Sequence, residues 1–371
     1  MNRNKPRNIN LDIIRSIAIF CVISVHFFLN SGFYEEPVVG KRMYCMVLMR
    51  TQFMVCVPLF IMLTGFLMCQ KELNKKYYKG IIKTLWTYLL AAVFVLLVQK
   101  YYFKYEIDFD SIFDITGIHI WNSWYVEMYI GLFLLIPFLN LIWKGLDVKK
   151  KKQALIATLL ILTSLPSILN VWDMGNLSFW IKPSSSTDYD LIFPDYWIGI
   201  WPLTYYFLGS YIREFKPQIS LKKGIILLLG IFVIFGSFNF YRNMGGVFEW
   251  AQYNDYYSIM TVINSVLIFI FCLQIKTEKI PYVIKKIILK ISELSFGIYL
   301  VSSVFDKIIY AKLVAYVPHM IQRLEWYIIV VPLIFICSLI TAQLLHILLN
   351  AFKGFGKLVD RIKYKNDYNK C

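Results

Sequence analysis

"LDIIRSIAIFCVISVHFF", Leu11 to Phe28, reads as one apolar helix long enough to cross a bilayer, yet it carries Asp12, Arg15 and His26. An ionisable side chain in hydrocarbon costs on the order of 3 kcal/mol unless a partner offsets it. Arg15 and His26 are eleven residues apart, which in a helix is about 20° past three full turns and about 16 Å along the axis. They therefore share one face, with Arg15 in the inner half of the span and His26 in the outer half. Asp12, three residues before Arg15, is within reach of it. Two readings stand at this point. Arg15 snorkels to the near surface and His26 makes one structural hydrogen bond, or the two mark a polar track, with an anion binder at one end and a base at the other.

The rest of the chain is of the same kind. Of 371 residues, 58% are hydrophobic, 18% aromatic and only 17% charged, where a soluble domain of this size carries about 25% charged residues. Apolar stretches near the 20 residues or so that a transmembrane helix needs recur at roughly 10–31, 44–69, 80–100, 122–143, 153–171, 196–212, 224–241, 257–275, 293–316 and 326–349. The expected fold is an all-α integral membrane protein of about ten transmembrane helices in one bundle. It is expected to comprise a transmembrane domain over 1–352 and a basic tail over 353–371. No cleavable signal peptide is expected, because the first apolar run exceeds a signal h-region and lacks a small-residue cleavage site. The seven cysteines sit mostly in apolar runs with no CxxC or CxxH spacing. They read as small hydrophobes, with no metal site expected.

The net charge of +16 has a topological explanation that leaves nucleic acid out. Well over half of the 39 lysines and arginines fall in alternate connections: Arg3–Arg7, Lys71–Lys83, Lys144–Lys152, Arg213–Lys223, Lys276–Lys290 and the segment after Lys353. With ten spans these all lie on one side, which the positive-inside rule makes cytoplasmic, both termini included. Membrane lipids with anionic headgroups are the expected partner of that side. The other side carries acids (Asp108, Asp110, Asp114, Asp255) and many tryptophans (Trp121, Trp124, Trp197, Trp201, Trp250). An interfacial aromatic belt accounts for most of these tryptophans. For one or two, Trp124 among them, stacking on a sugar face is the sharper reading.

The opening helix resembles that of the membrane acyltransferase-3 family, which begins with Leu-Asp-x-x-Arg and has a His eleven residues after the Arg. Four later segments resemble that family in order: "VPLFIMLTGFLM" at Val57–Met68, with Thr64 in place of a Ser, "WYVEMYIGLFLLIP" at Trp124–Pro137, "YYFLGSYI" at Tyr205–Ile212 and "ISELSFGIYLVSSVF" at Ile291–Phe305. Two positions depart from the pattern. Ser302 stands where the ninth-helix segment often has His, and Glu127 stands where an apolar or aromatic residue is expected. The hydrolase-like domain fused to some family members is not expected here.

The resemblance implies transfer of an acyl group, usually acetyl, from acyl-coenzyme A to a hydroxyl or amine on a glycan or lipid-linked carrier, in the plasma membrane of a bacterium. Acetyl-CoA is then a donor substrate, with no permanently bound cofactor. An alcohol is almost un-ionised at neutral pH, so a general base is needed, and His, with an ordinary pKa of about 6.5, is the natural choice. His26 as base and His26 as acyl-accepting nucleophile both remain open. Arg15, with the cytoplasmic lysines, is the expected holder of coenzyme A phosphates. Glu127, about one and a half turns into its span, is a candidate for orienting His26, or it simply reaches the interface. Arg50 is a candidate oxyanion or glycan-phosphate donor, or a partner for Glu127. His119, His319 and His346 read as interfacial. A transporter or flippase of glycan precursors is the alternative class, although the chain shows no internal repeat of the kind such proteins use.

Overall fold

The computed structural model describes residues 7–106 and 124–368, the side chains of 352–368 excepted. Arg3, Lys5, Asp108, Asp110, Asp114, His119, Trp121 and the side chains of the basic tail lie outside the described residues. The described chain is helical. The longer helices are α1 (Ile9–Asn30), α2 (Gly40–Phe53), α3 (Cys56–Met68), α4 (Ile82–Tyr101), α5 (Trp124–Gly145), α6 (Lys149–Thr163), α7 (Trp201–Phe215), α8 (Leu221–Asn243), α9 (Ile259–Leu273), α10 (Tyr282–Tyr316) and α11 (Tyr327–Tyr368). The only β pairings among the described residues are two isolated bridges, Pro37 with Val247 and Val38 with Met244.

Among the described residues, eight helical stretches are long and apolar enough to cross a membrane: 9–30, 40–68, 75–101, 124–145, 221–243, 252–273, 282–316 and 320–351. The other two expected spans, at 153–171 and 196–212, fall on α6 and α7, each only 15 residues long. Pro166 bounds α6, since a helix ends at or before the residue preceding a proline, and Pro202 lies in the first turn of α7. The two short helices pack on each other. The Thr163 and Thr204 hydroxyls meet at 2.9 Å, and Lys152 pairs with Glu214 at 2.7 Å. The span at 40–68 is broken at Met54 and Val55 between α2 and α3. Pro58 accounts for the break, because its ring clashes with the carbonyl of the residue four before it, here Met54.

Side-chain contacts gather the basic connections at one end of the bundle. Asn10, at the start of α1, donates to the carbonyls of Cys272, Leu273 and Ile275 at the end of α9. Lys144 pairs with Glu72 at 3.1 Å, and the Ile219 amide donates to Gln274. The opposite end is held by Arg323, whose guanidinium donates to the carbonyls of Ser31, Val317 and Pro318, and by the Arg42–Glu325 pair. The alternation of charge along the sequence is therefore an alternation in space.

α1 sits in the middle of this arrangement, packed against α2, α3, α9, α10 and α11. It buries most of its length, from Ile14 and Ala18 to Phe27 and Phe28, as a largely apolar helix does in a core. α8, by contrast, exposes Ile225, Ile226, Leu229, Val233 and Ile234, an outer face suited to lipid. α3 and α7 cross through two glycines. A Cβ at Gly65 would stand 2.0 Å from the Tyr206 carbonyl oxygen, and one at Gly209 would stand 2.1 Å from that of Met62. Small residues allow this backbone approach where helices meet in a membrane. The crossing sets α3 beside α1, with Cys56, Val57, Phe60, Leu63 and Thr64 facing a common cavity.

Candidate functional site

The cavity has a volume of about 840 Å³ and runs between α1, α3, α4, α5 and α10. That lies within the 300–1,000 Å³ or so of small-molecule and cofactor sites. At the basic end it is lined by Arg15, Lys83, Glu293 and His346, and at the opposite end by His26, Trp124, Trp201, Trp250, Asp255 and Tyr256. Arg15 and His26, placed on one face of α1 by spacing alone, thus open into the same space from its two halves.

Arg15 is anchored from one side. Its Nη1 donates to Ser292 Oγ at 2.9 Å, and Ser292 Oγ in turn donates to Asp12 Oδ1 at 2.6 Å. Asp12 lies 3.7 Å from Arg15 but pairs more closely with Arg7, whose Nε and Nη2 reach its two oxygens at 2.9 and 2.7 Å. The paired carboxylate turns what would be an isolated cation in hydrocarbon into part of a hydrogen-bonded cluster. The bidentate Arg7–Asp12 fork is the stronger contact. It leaves Arg15 held by a neutral hydroxyl, with the remaining guanidinium N–H groups unassigned to any partner among the described residues.

His26 is buried, 8% exposed, and its Nδ1 lies 2.7 Å from Asp306 Oδ2 on α10. The carboxylate that meets the imidazole is therefore Asp306. Glu127 is exposed on α5 and lies outside the cavity lining. A position about one and a half turns into a span does not fix the azimuth of a side chain. Asp306 itself is 2% exposed, and its Oδ1 has no hydrogen-bond partner among the described residues. An acid within an apolar span is a functional-site hypothesis by default, and that was the sequence signal for Asp306. Ser302, at the departure from the family pattern, is buried one turn earlier and donates back to the Tyr299 carbonyl. His26 Nε2 has no protein partner among the described residues. The pair has the arrangement in which a carboxylate fixes the imidazole tautomer and stabilises the imidazolium that forms when the other nitrogen takes a proton.

Arg50 is fully buried and does not pair with Glu127. It donates to the Asn254 carbonyl at 2.6 Å and to Tyr34 Oη at 3.1 Å, with its guanidinium near the Phe248 and Trp250 rings at 5.0 and 4.8 Å. It supports the cavity wall from behind and does not line the cavity. Trp124, 41% exposed, does line it. Of the histidines read as interfacial, His319 is exposed. His346 instead lines the basic end of the cavity, 3.7 Å from Glu293.

A family model described as "Acyltransferase domain", of the acyltransferase-3 type, matches residues 8–343, nearly the whole chain. No curated protein and no solved structure matches at a significant level.

Proposed function

Because the chain belongs to the membrane acyltransferase-3 family, we propose that it moves an acyl group, acetyl in the simplest case, from acyl-coenzyme A to a hydroxyl of a cell-surface glycan or lipid-linked glycan precursor. Membership makes it a membrane acyltransferase. The donor, the acyl group and the acceptor are the proposal. One observation carries it: a single cavity joins an arginine near the basic end of the bundle to a carboxylate-paired histidine in the opposite half.

The donor enters from the basic end, which the positive-inside rule assigns to the cytoplasm. Arg15 and Lys83 hold its phosphates, Arg15 with the planar fork that suits an oxyanion. The pantetheine arm lies along the cavity and brings the thioester towards His26, about 16 Å from Arg15 along the helix. The acceptor enters from the other end. Its hydroxyl oxygen attacks the thioester carbonyl carbon while His26 Nε2 takes the hydroxyl proton. The tetrahedral intermediate then breaks its C–S bond, and the imidazolium returns the proton to the departing thiolate. Asp306, 2.7 Å from Nδ1, stabilises the imidazolium from its far side. Both substrates reach the reacting centre without either crossing the membrane whole.

The test is the acyl content of surface glycan in cells with and without the gene, using labelled acyl donor. Loss of label from an otherwise intact glycan is expected. Loss of the glycan itself would favour a flippase, and unchanged label would defeat the reading.

A further inference from the structure

Four aromatic side chains and one carboxylate close the cavity at the end away from the basic connections, and the proposed reaction gives them no task. Trp124 opens α5, Trp201 opens α7, and Trp250, Asp255 and Tyr256 lie in the turn that leads to Ser258, the N-cap of α9. All five line the cavity. Tyr256 is the hub. Its ring centroid lies 5.5 Å from Trp124, 5.9 Å from Trp201 in a near-parallel stack, and 6.3 Å from Trp250. An aromatic belt serves the lipid interface and faces outward. Trp197, 56% exposed and outside the cavity lining, fits that description, whereas these four rings face inward.

Asp255 is set among them. Its Oδ1 accepts the Tyr256 amide at 2.5 Å, and the Trp250 indole and the Arg50 guanidinium lie within its electrostatic reach. Arg50 does not line the cavity. The charge presented to a ligand at this end by the described lining residues is therefore a carboxylate, with the other fixed charges (Arg15, Lys83, Glu293) at the basic end.

We infer that this end is a pyranose subsite for rings that are uncharged or carry an amine, and that it is closed to uronates and other anionic sugars. The C–H face of a sugar ring is an apolar surface that matches an indole or phenol face, while its hydroxyls donate strong charge-assisted hydrogen bonds to a carboxylate. A carboxylate on the ring would meet Asp255 as a like charge in a desolvated site, which weakens binding by at least about tenfold. Asp255 thus both attracts and excludes, the two halves of specificity. That the bound ring is the acyl acceptor rests on the proposed function, but its binding does not.

The experiment measures ligand binding by saturation-transfer NMR on the full chain in lipid nanodiscs, without acyl donor. The probes are methyl glucoside, methyl glucosaminide and methyl glucuronide. The first two are expected to bind, and the glucuronide at least about tenfold more weakly. Asp255→Asn should bring the glucuronide to near parity with the glucoside while weakening the glucoside a few-fold. Trp124→Ala, at a half-exposed position, should weaken all three together and leave their ratio intact. Equal binding of glucuronide and glucoside by the wild type, an unchanged ratio in Asp255→Asn, or no saturation transfer from any probe would overturn the subsite. Sugar binding in a protein that transfers no acyl group would leave the subsite standing and remove the acyltransferase chemistry assigned to it.

Discussion

His26 and Asp306 meet at 2.7 Å at the same sequence offset, 280 residues, that brings Asp12 to Ser292 at 2.6 Å. α1 and α10 run in the same direction, and each advances fourteen residues between the two contacts. Fourteen residues are two heptads, the interval over which two helices wound about each other keep one seam. The polar contacts at the basic end and at the opposite end are thus rungs of a single helix pair, and the separation of Arg15 from His26 is set by one helix.

His26→Gln keeps a hydrogen-bonding group but takes no proton at neutral pH. If His26 is the base, Gln and Ala should be equally inactive, with acyl transfer down by at least about a hundredfold. Both variants should stay inserted and abundant. The measurement is surface acylation per amount of membrane-inserted protein. Near-normal acylation by His26→Gln would leave the assignment untenable.

If His26 is the base, Asp306 acts through it as a positioning residue. Asp306→Asn preserves size and leaves the imidazole without its anion. Turnover should fall by about a hundredfold or more, while the donor KM stays within about twofold. Asp306→Asn combined with His26→Ala should be little worse than His26→Ala alone, because groups acting as a unit are non-additive. Glu127→Gln should leave turnover within about twofold of wild type, as expected for an exposed acid off the cavity wall. A Glu127 variant as defective as Asp306→Asn would reverse the two roles.

Arg15→Ala should act on the donor, raising its KM by about tenfold or more with a smaller effect on turnover at saturation. Lys should rescue only in part, since an ammonium does not reproduce the fork held by Ser292. Ser292→Ala, which removes that anchor, should give a weaker effect of the same sign. Donor titrations on purified protein decide this, and unchanged affinity in Arg15→Ala removes the role.

Topology is tested separately. A single cysteine placed at Lys150 in a cysteine-free background should resist an impermeant thiol reagent in intact cells and react after permeabilisation, since Lys150 lies in the basic end. Labelling in intact cells would invert the orientation. The result does not depend on whether the short pair α6 and α7 crosses the bilayer. Lys152 and Glu214 are joined at 2.7 Å, so both ends of the pair lie at one level.

The fold and the axis of the site were legible because both rest on periodicity within one helix. Apolar length marked eight of the ten expected spans, alternating lysines marked the ends, and the 11-residue spacing put Arg15 and His26 on one face. What required the structure was everything between helices. Asp12 was within reach of Arg15, yet Arg7, just before the N-cap of α1, holds it more tightly with two hydrogen bonds. Sequence reasoning missed Asp306, although it is an acid within the 293–316 stretch; its meeting with His26 depends on the register of α1 against α10, which neither sequence segment contains. Glu127 is exposed and outside the cavity lining, a placement that depth along one helix does not determine. Asp255 and Trp250 precede α9 and look like ordinary loop residues until three helix starts converge on Tyr256.

The α3–α7 crossing gives the last prediction, and it separates scaffold from chemistry. Gly65 and Gly209 each face a partner backbone oxygen, that of Tyr206 or Met62, and backbone cannot step aside as a flexible side chain can. A methyl group at either position must push the helices apart, at a cost of about 1–3 kcal/mol typical of overpacking. Gly65→Ala and Gly209→Ala should therefore each lower the thermal midpoint of the purified protein and its abundance in the membrane. The double variant should lose less than the sum, because both methyls strain one crossing. Gly131→Ala, on the open side of α5 with nothing within 4 Å of the new Cβ, should be neutral or slightly stabilising, as Ala is the better helix former. Acylation per folded molecule should hold nearer to normal in Gly209→Ala than in Gly65→Ala, since Gly65 adjoins Thr64 on the cavity wall. A Gly65→Ala protein as stable as wild type would mean that the two helices are not in backbone contact.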